Sequence, residues 1–187
     1  MGDHHDKHEL NKVKLTTGPF LIPEEVGTDI QIGRNNDRLI IILKNPTNKE
    51  LKASVNLGIC RQPNGYPMSA PNPNQFQVFS DIHEKDFSLG THELDPHTCT
   101  RIERDIPGGG FDSIGIGTGE RNAVYRVTVE GDFRICKKTC QPICGLLEVS
   151  VVAGSIFNPQ EPGLEQADPA TFFRYKDFVF CEEHKDD

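Results

Sequence analysis

The chain has 187 residues, 35% of them hydrophobic, with 20 basic and 28 acidic side chains giving a formal net charge of −8. That length suits one domain with a modest core, and the acidic balance excludes binding by neutralisation of a phosphate backbone, for which no surplus of Lys or Arg exists. No apolar run approaches the roughly 20 residues of a membrane-spanning helix, and residues 1–10 lack the hydrophobic segment of a secretory signal. The expectation is a chain that stays in the cell that made it, leaves by lysis or another route, or has had its signal removed.

Residues 1–11 are polar and His-rich and read as a flexible arm. Residues 12–181 read as one β domain and 182–187 as an acidic tail. Val13, Lys14, Leu15, Thr16 and Thr17 form a short β-prone stretch stopped by Gly18-Pro19. Residues 28–33 alternate weakly, and Asn35-Asn36-Asp37 signals a turn. The continuous apolar run 39–43 ends at Asn45-Pro46-Thr47-Asn48. Then 51–60 alternates, with Leu51, Ala53, Val55, Leu57 and Ile59 on one face. The two runs together predict an antiparallel hairpin with one wet face. The segment 61–74, with four prolines, reads as a long exposed loop.

Strands are predicted at 75–82 and 87–89, then at 99–106 after a turn at 94–98. In 99–106, Cys99, Arg101 and Glu103 oppose Thr100, Ile102 and Arg104. Pro107-Gly108-Gly109-Gly110 is a break, and 113–119 is a glycine-interrupted strand. The cleanest alternation is 123–130, followed by a cysteine-bearing insert and the strand 146–152. A loop at 157–169, with one helical turn near 165–167, precedes a final strand-like run at 172–180. Short strands between turn signals, without a long helical pattern, predict an all-β fold. The expected architecture is an antiparallel β-sandwich, jelly-roll or immunoglobulin-like, with Greek-key connections and a cysteine insert.

The insert concentrates chemistry: Cys136, Cys140 and Cys144 place three of the six cysteines in nine residues. The spacing lacks the two-residue gap of thioredoxin-like and radical-type iron–sulfur motifs. A zinc site would need a fourth ligand from afar, with Cys181 or His184 as candidates. Disulfides are the favoured reading, because an insert of some fifteen residues without its own core gains from a brace, by about 3 kcal/mol in the loop-closure model. A bridge from the insert to Cys181 or Cys60 is one option, and a Cys60–Cys99 bridge is another. A thiol meeting a neighbouring subunit would instead fasten a polymer or coat. Free thiols are the remaining alternative.

The other candidates are weaker. His4, His5 and His8 read as a solvated arm, and His83, His92 and His97 as charged turns. The glycine runs lack the Lys-Ser/Thr of a phosphate loop. Asn64, Tyr66, Asn72 and Asn74 offer a thin ligand loop for a sugar or a protein, in a chain without Trp. No nucleophile elbow or zincin helix is present.

The succession 39–43, Asn45-Pro46-Thr47-Asn48 and 51–57, with the later strands 125–129 and 147–151, resembles small bacterial surface β-sandwiches. Over 12–181 the chain is similar in style to jelly-roll subunits of endospore appendages and coat-associated proteins. The resemblance implies a non-enzymatic structural protein of a spore or cell surface, without cofactor. It would associate with itself or with other coat proteins through β-edge pairing by Val13, Lys14, Leu15, Thr16 and Thr17, and through disulfides. It also implies release from the mother cell. Those subunits concentrate cysteines near the N-terminus, whereas residues 1–20 here carry none, leaving Cys136, Cys140, Cys144 or Cys181 for a lateral link. A carbohydrate- or protein-binding module and a Cys-ligated metal protein are the alternatives.

Overall fold

The computed structural model describes residues 12–22, 25–26, 34–35, 38–61, 82–106, 120, 123–155 and 168–180. Nearly all regular structure in it is extended: β1 (Val13–Thr16), β2 (Phe20–Leu21), β3 (Glu25–Val26), β4 (Arg34–Asn35), β5 (Arg38–Lys44), β6 (Leu51–Cys60), β7 (Glu84–Leu94), β8 (Cys99–Asp105), β9 (Val124–Gly131), β10 (Glu148–Ser155), β11 (Asp168–Phe173) and β12 (Val179–Phe180). A single 3₁₀ turn, Tyr175–Asp177, lies between the last two strands. Two antiparallel sheets pack face to face. One runs β12-β1-β9-β6-β7, with β2 also on β9; the other runs β11-β10-β5-β8. The small ribbon β3-β4 is separate. The expected all-β sandwich is the fold.

Alternation explains the packing. In β9 the buried set is Tyr125, Val127 and Val129; in β6 it is Leu51, Ala53, Val55, Leu57 and Ile59. From the opposite sheet come Leu39, Ile41 and Leu43 of β5 and Val149, Val151 and Ala153 of β10. Period-two side chains place these residues on the inner face, while Ile40, Ile42, Val124 and Val152 alternate with them. Each fully buried Leu, Ile or Val contributes about 1.5–3 kcal/mol over its exposed state, so the inner faces hold the sheets together. The outer face of β6 and its neighbours is polar: Ser54 bonds Thr91 at 2.8 Å, and Lys52 pairs with Glu93 at 2.6 Å.

The hairpin expected from 39–43 and 51–60 does not form. β5 and β6 lie in different sheets and make an arch across the sandwich. β6 pairs with β7 and β5 with β8, so the next two strands make a second arch beside the first. On its other flank β9 pairs with β6 and β10 with β5, a third arch. The physical reason is burial. The run Leu39, Ile41 and Leu43 and the run Leu51, Val55 and Leu57 each have one apolar face, and an arch turns those faces toward each other. A hairpin would put both on one side of a single sheet.

The final run is divided as well. β11 belongs to one sheet and β12 to the other, with the 3₁₀ turn making the crossing. The strand expected at 87–89 is part of the longer β7. The expected strands at 28–33 and 113–119, the helical turn at 165–167, and all of the expected strand 75–82 but Ile82, which is not in a strand, lie outside the described residues.

Candidate functional site

The three arches turn at the same end of the sandwich. The first corner is built on Asn45, which is fully buried. Its side-chain amide donates to the carbonyls of Lys49 at 2.7 Å, Leu94 at 2.9 Å and Asp95 at 3.1 Å. Its Oδ1 accepts from the Thr47 N–H at 2.9 Å. One amide thus joins the β5–β6 corner to the β7–β8 corner. The third corner attaches through Asp132: its carboxylate accepts the Lys52 N–H at 2.7 Å, its own N–H reaches the Lys52 carbonyl at 3.0 Å, and its carbonyl accepts from Leu147 N–H at 3.0 Å.

From that third corner projects the cysteine insert, which is a small hairpin of its own. Ile135 bridges Pro142, Ile143 N–H donates to the Arg134 carbonyl at 2.9 Å, and Cys136 N–H donates to Gln141 at 2.8 Å. The Cys136 carbonyl accepts from Thr139 N–H at 3.2 Å and Cys140 N–H at 2.8 Å. The tip is therefore a single α-type turn, closed by Cys140 in the left-handed region at φ 54°. Pro142 ends helix propagation, so the i, i+4, i+8 cysteines form no helical stripe. The base rests on Tyr175, whose hydroxyl donates to the Arg134 carbonyl at 3.2 Å; burial pushes this phenol up to about 12.

Cys99, Cys140 and Cys144 are exposed, Cys60 and Cys136 are half-buried, and all five are free thiols. Cys136 differs electronically. The Thr139 hydroxyl, and then the turn backbone at Thr139 and Lys138, hold its pKa below the ordinary thiol value. Cys60 is shifted the other way, by burial and then by the Glu84 carboxylate.

Register decides which thiols can meet. Cys99 opens β8 opposite Lys44, at the corner end. Cys60 closes β6 opposite Glu84 and Val124, at the other end. The nine steps of β6 separate the ends by roughly 30 Å, whereas a disulfide needs Cα atoms within about 7 Å. The expected Cys60–Cys99 bridge, and a bridge from the insert to Cys60, are therefore impossible within one chain. Cys181 and His184 lie outside the described residues, as do Asn64, Tyr66, Asn72 and Asn74. Among the described residues no three His, Cys, Asp or Glu side chains gather in a metal-holding arrangement.

Val13, Lys14, Leu15 and Thr16 occupy a place in their own sheet. They pair with β9 along 128–131, and Leu15 and Thr16 also pair with β12. Leu15 is fully buried. Thr17 continues the contact, its N–H donating to the Val127 carbonyl at 3.0 Å and its hydroxyl accepting from Val127 N–H at 3.1 Å. β12 covers only two residues of β1, so the outer edge at Val13 and Lys14 has no strand partner among the described residues.

The opposite end holds a group that the sequence reading passed over. Glu120, just before β9, has a fully buried carboxylate. Arg104 of β8 grips both of its oxygens at 2.6 Å, and Arg61 adds a contact at 2.6 Å. The Tyr125 hydroxyl donates at 3.2 Å. Burial alone would raise the Glu120 pKa, but the hydrogen bonds from Arg104 and Arg61 outweigh it and hold it below the usual value. Burial, followed by the Glu120 charge, raises Tyr125. With every oxygen committed, Glu120 is a clamp between the sheets rather than an available acid or base. No local motif marks it; its arginine partners are 16 and 59 residues away.

Comparisons of the chain with protein-family models, with curated proteins and with solved structures give no match.

Proposed function

We propose that this protein is a structural, self-associating β-sandwich whose copies are fastened by disulfides and by β-edge pairing, as a component of a spore or cell surface layer. The supporting observation is the distribution of thiols. Cys99, Cys136, Cys140 and Cys144 sit at one end and Cys60 at the other, roughly 30 Å away by strand rise. Any disulfide between the ends must join two chains, and a head-to-tail link that does not close into a ring repeats as a filament or layer. The edge at Val13 and Lys14, which has no outer strand partner among the described residues, gives a second, non-covalent contact of the β-augmentation type. The test is size and mass analysis of air-oxidised protein with and without reductant. Reductant-sensitive oligomers carrying a Cys60 cross-link support the proposal. Monomers with free thiols under both conditions refute it.

A binding module is the second reading, favoured by one surface feature. β11 leaves β10 after pairing Phe173 with Val151, so on that edge 148–150 faces the 3₁₀ turn instead of a strand. This leaves a cleft of about 170 Å³ lined by Ile42, Lys44, Glu148, Ser150, Phe172 and Tyr175. Phe172 is 51% exposed there, with the Arg174 guanidinium 5.8 Å from its ring centroid. A half-exposed ring beside hydroxyl, ammonium and carboxylate groups suits one saccharide ring. Glycan-array binding lost in Phe172→Ala would favour this reading.

A further inference from the structure

Three thiols at the tip and base of one small hairpin are an unusual endowment for a brace, because the hairpin already closes through backbone hydrogen bonds. The arrangement is asymmetric. Cys136 begins the turn, half-buried, with its carbonyl accepting from the Thr139 N–H at 3.2 Å and its pKa held low by the Thr139 hydroxyl and the turn backbone. Cys140 ends the turn, exposed, with its N–H on the Cys136 carbonyl at 2.8 Å. One turn of helix-like backbone separates them, about 6 Å of rise, inside the Cα span that a disulfide accepts. Lys137 and Lys138 stand exposed between the two thiols. Left-handed Cys140 holds the turn shut, so both sulfurs stay on one short loop.

We propose that this hairpin is a thiol–disulfide exchange site, with Cys136 as the attacking thiol and Cys140 as the resolving one, acting on solvent-accessible disulfides between copies of this chain. It rests on the assembly reading above and makes its covalent links rearrangeable. In the first step Cys136 thiolate attacks one sulfur of the partner disulfide. The S–S bond breaks, one partner thiolate leaves and takes a proton from water, and a mixed disulfide to Cys136 forms. In the second step Cys140, deprotonated by solvent, attacks the Cys136 sulfur and expels the other partner thiolate. The hairpin has lost two electrons and the partner disulfide has gained two, so no further oxidant is required. A thiolate stabilised by donors is more abundant at neutral pH, which is what the attacking position needs, while the resolving thiol needs reach and exposure.

The experiment uses the full, reduced chain with oxidised glutathione as the probe, followed by peptide mapping. The expected product is a Cys136–Cys140 bridge with no glutathione retained on the hairpin. Cys140→Ser should trap one glutathionyl group on Cys136. Cys136→Ser should slow modification of the hairpin at least tenfold, while Cys144→Ser leaves the rate within twofold. Equal reaction of all three thiols, first reaction at Cys144, or glutathione retained on Cys136 in the wild type would overturn the proposal. Oxidised dimers of the chain serve as the second probe, and their reduction should depend on Cys136. Reductant-sensitive oligomers whose exchange ignores Cys136 would refute the exchange site and leave the assembly reading standing. A reactive hairpin in a protein that never oligomerises would refute the assembly reading and its inter-copy substrate, leaving the chemistry toward glutathione alone.

Discussion

Arg104 holds both carboxylate oxygens of Glu120 at 2.6 Å across the two sheets, and the carboxylate has no solvent exposure at all. A fork-to-fork pair of this kind is worth more than its charges, because its two parallel bonds fix the geometry. Removing Arg104 leaves the buried carboxylate with only the half-exposed Arg61 and the Tyr125 hydroxyl. Arg104→Met should therefore cost about 3–5 kcal/mol. Urea denaturation checks this, and a loss below about 1 kcal/mol would show that the clamp is not structural.

The same clamp sets an acid limit. The folded pKa of Glu120 is depressed, so its contribution is fully present above the unfolded carboxylate value and is lost as pH falls through the folded one. Wild-type stability should decline below about pH 4.3, the ordinary glutamate value, and the decline should be shallower in Glu120→Gln. Thermal unfolding across pH 3–7, as an order-of-magnitude window around that value, compares the two slopes.

Asn45 should be the most sensitive residue at the corner end. Asn45→Ala frees the carbonyls of Leu94 and Asp95 and opens two arches at once. The expected loss is about 1–3 kcal/mol, read by chemical denaturation. Hydrogen exchange should quicken at the Thr47 N–H, which loses its acceptor.

Gly131 has no room for a side chain. A Cβ there would collide with the Lys52 carbonyl and the Ala53 backbone, both fixed by β6 pairing. Gly131→Ala should destabilise by roughly 1–3 kcal/mol through overpacking. Gly18→Ala meets no atoms, and its cost should come only from the left-handed backbone at φ 72°. Paired melting curves separate collision from backbone strain.

Cys140 is strained for the same backbone reason, at φ 54°. Cys140→Gly should stabilise the hairpin by about 1 kcal/mol, and Cys140→Val should destabilise it by a similar amount or more. Hydrogen exchange of the Cys136 and Ile143 amides measures this locally, independent of global unfolding.

The period-two pattern of β6 and β9 already determined that each strand has one inner face, and hence that the chain is a β-sandwich. The turn residues Asn45-Pro46-Thr47-Asn48 and Asp95-Pro96-His97-Thr98 marked where strands end. The alternation of Cys99, Arg101 and Glu103 against Thr100, Ile102 and Arg104 was legible because it depends only on neighbouring residues. Tertiary structure alone decided whether the two strands flanking Asn45 pair or arch. Both choices satisfy the same alternation, and they differ only in which distant strands complete the sheets. It alone brought Glu120 to Arg104 and Arg61, since nothing local records a contact between loops and strands far apart in sequence. It also set Cys60 and Cys99 at opposite ends. Sequence gives the number and spacing of thiols, but strand register gives their separation, and that separation excludes a bond between those two within one chain.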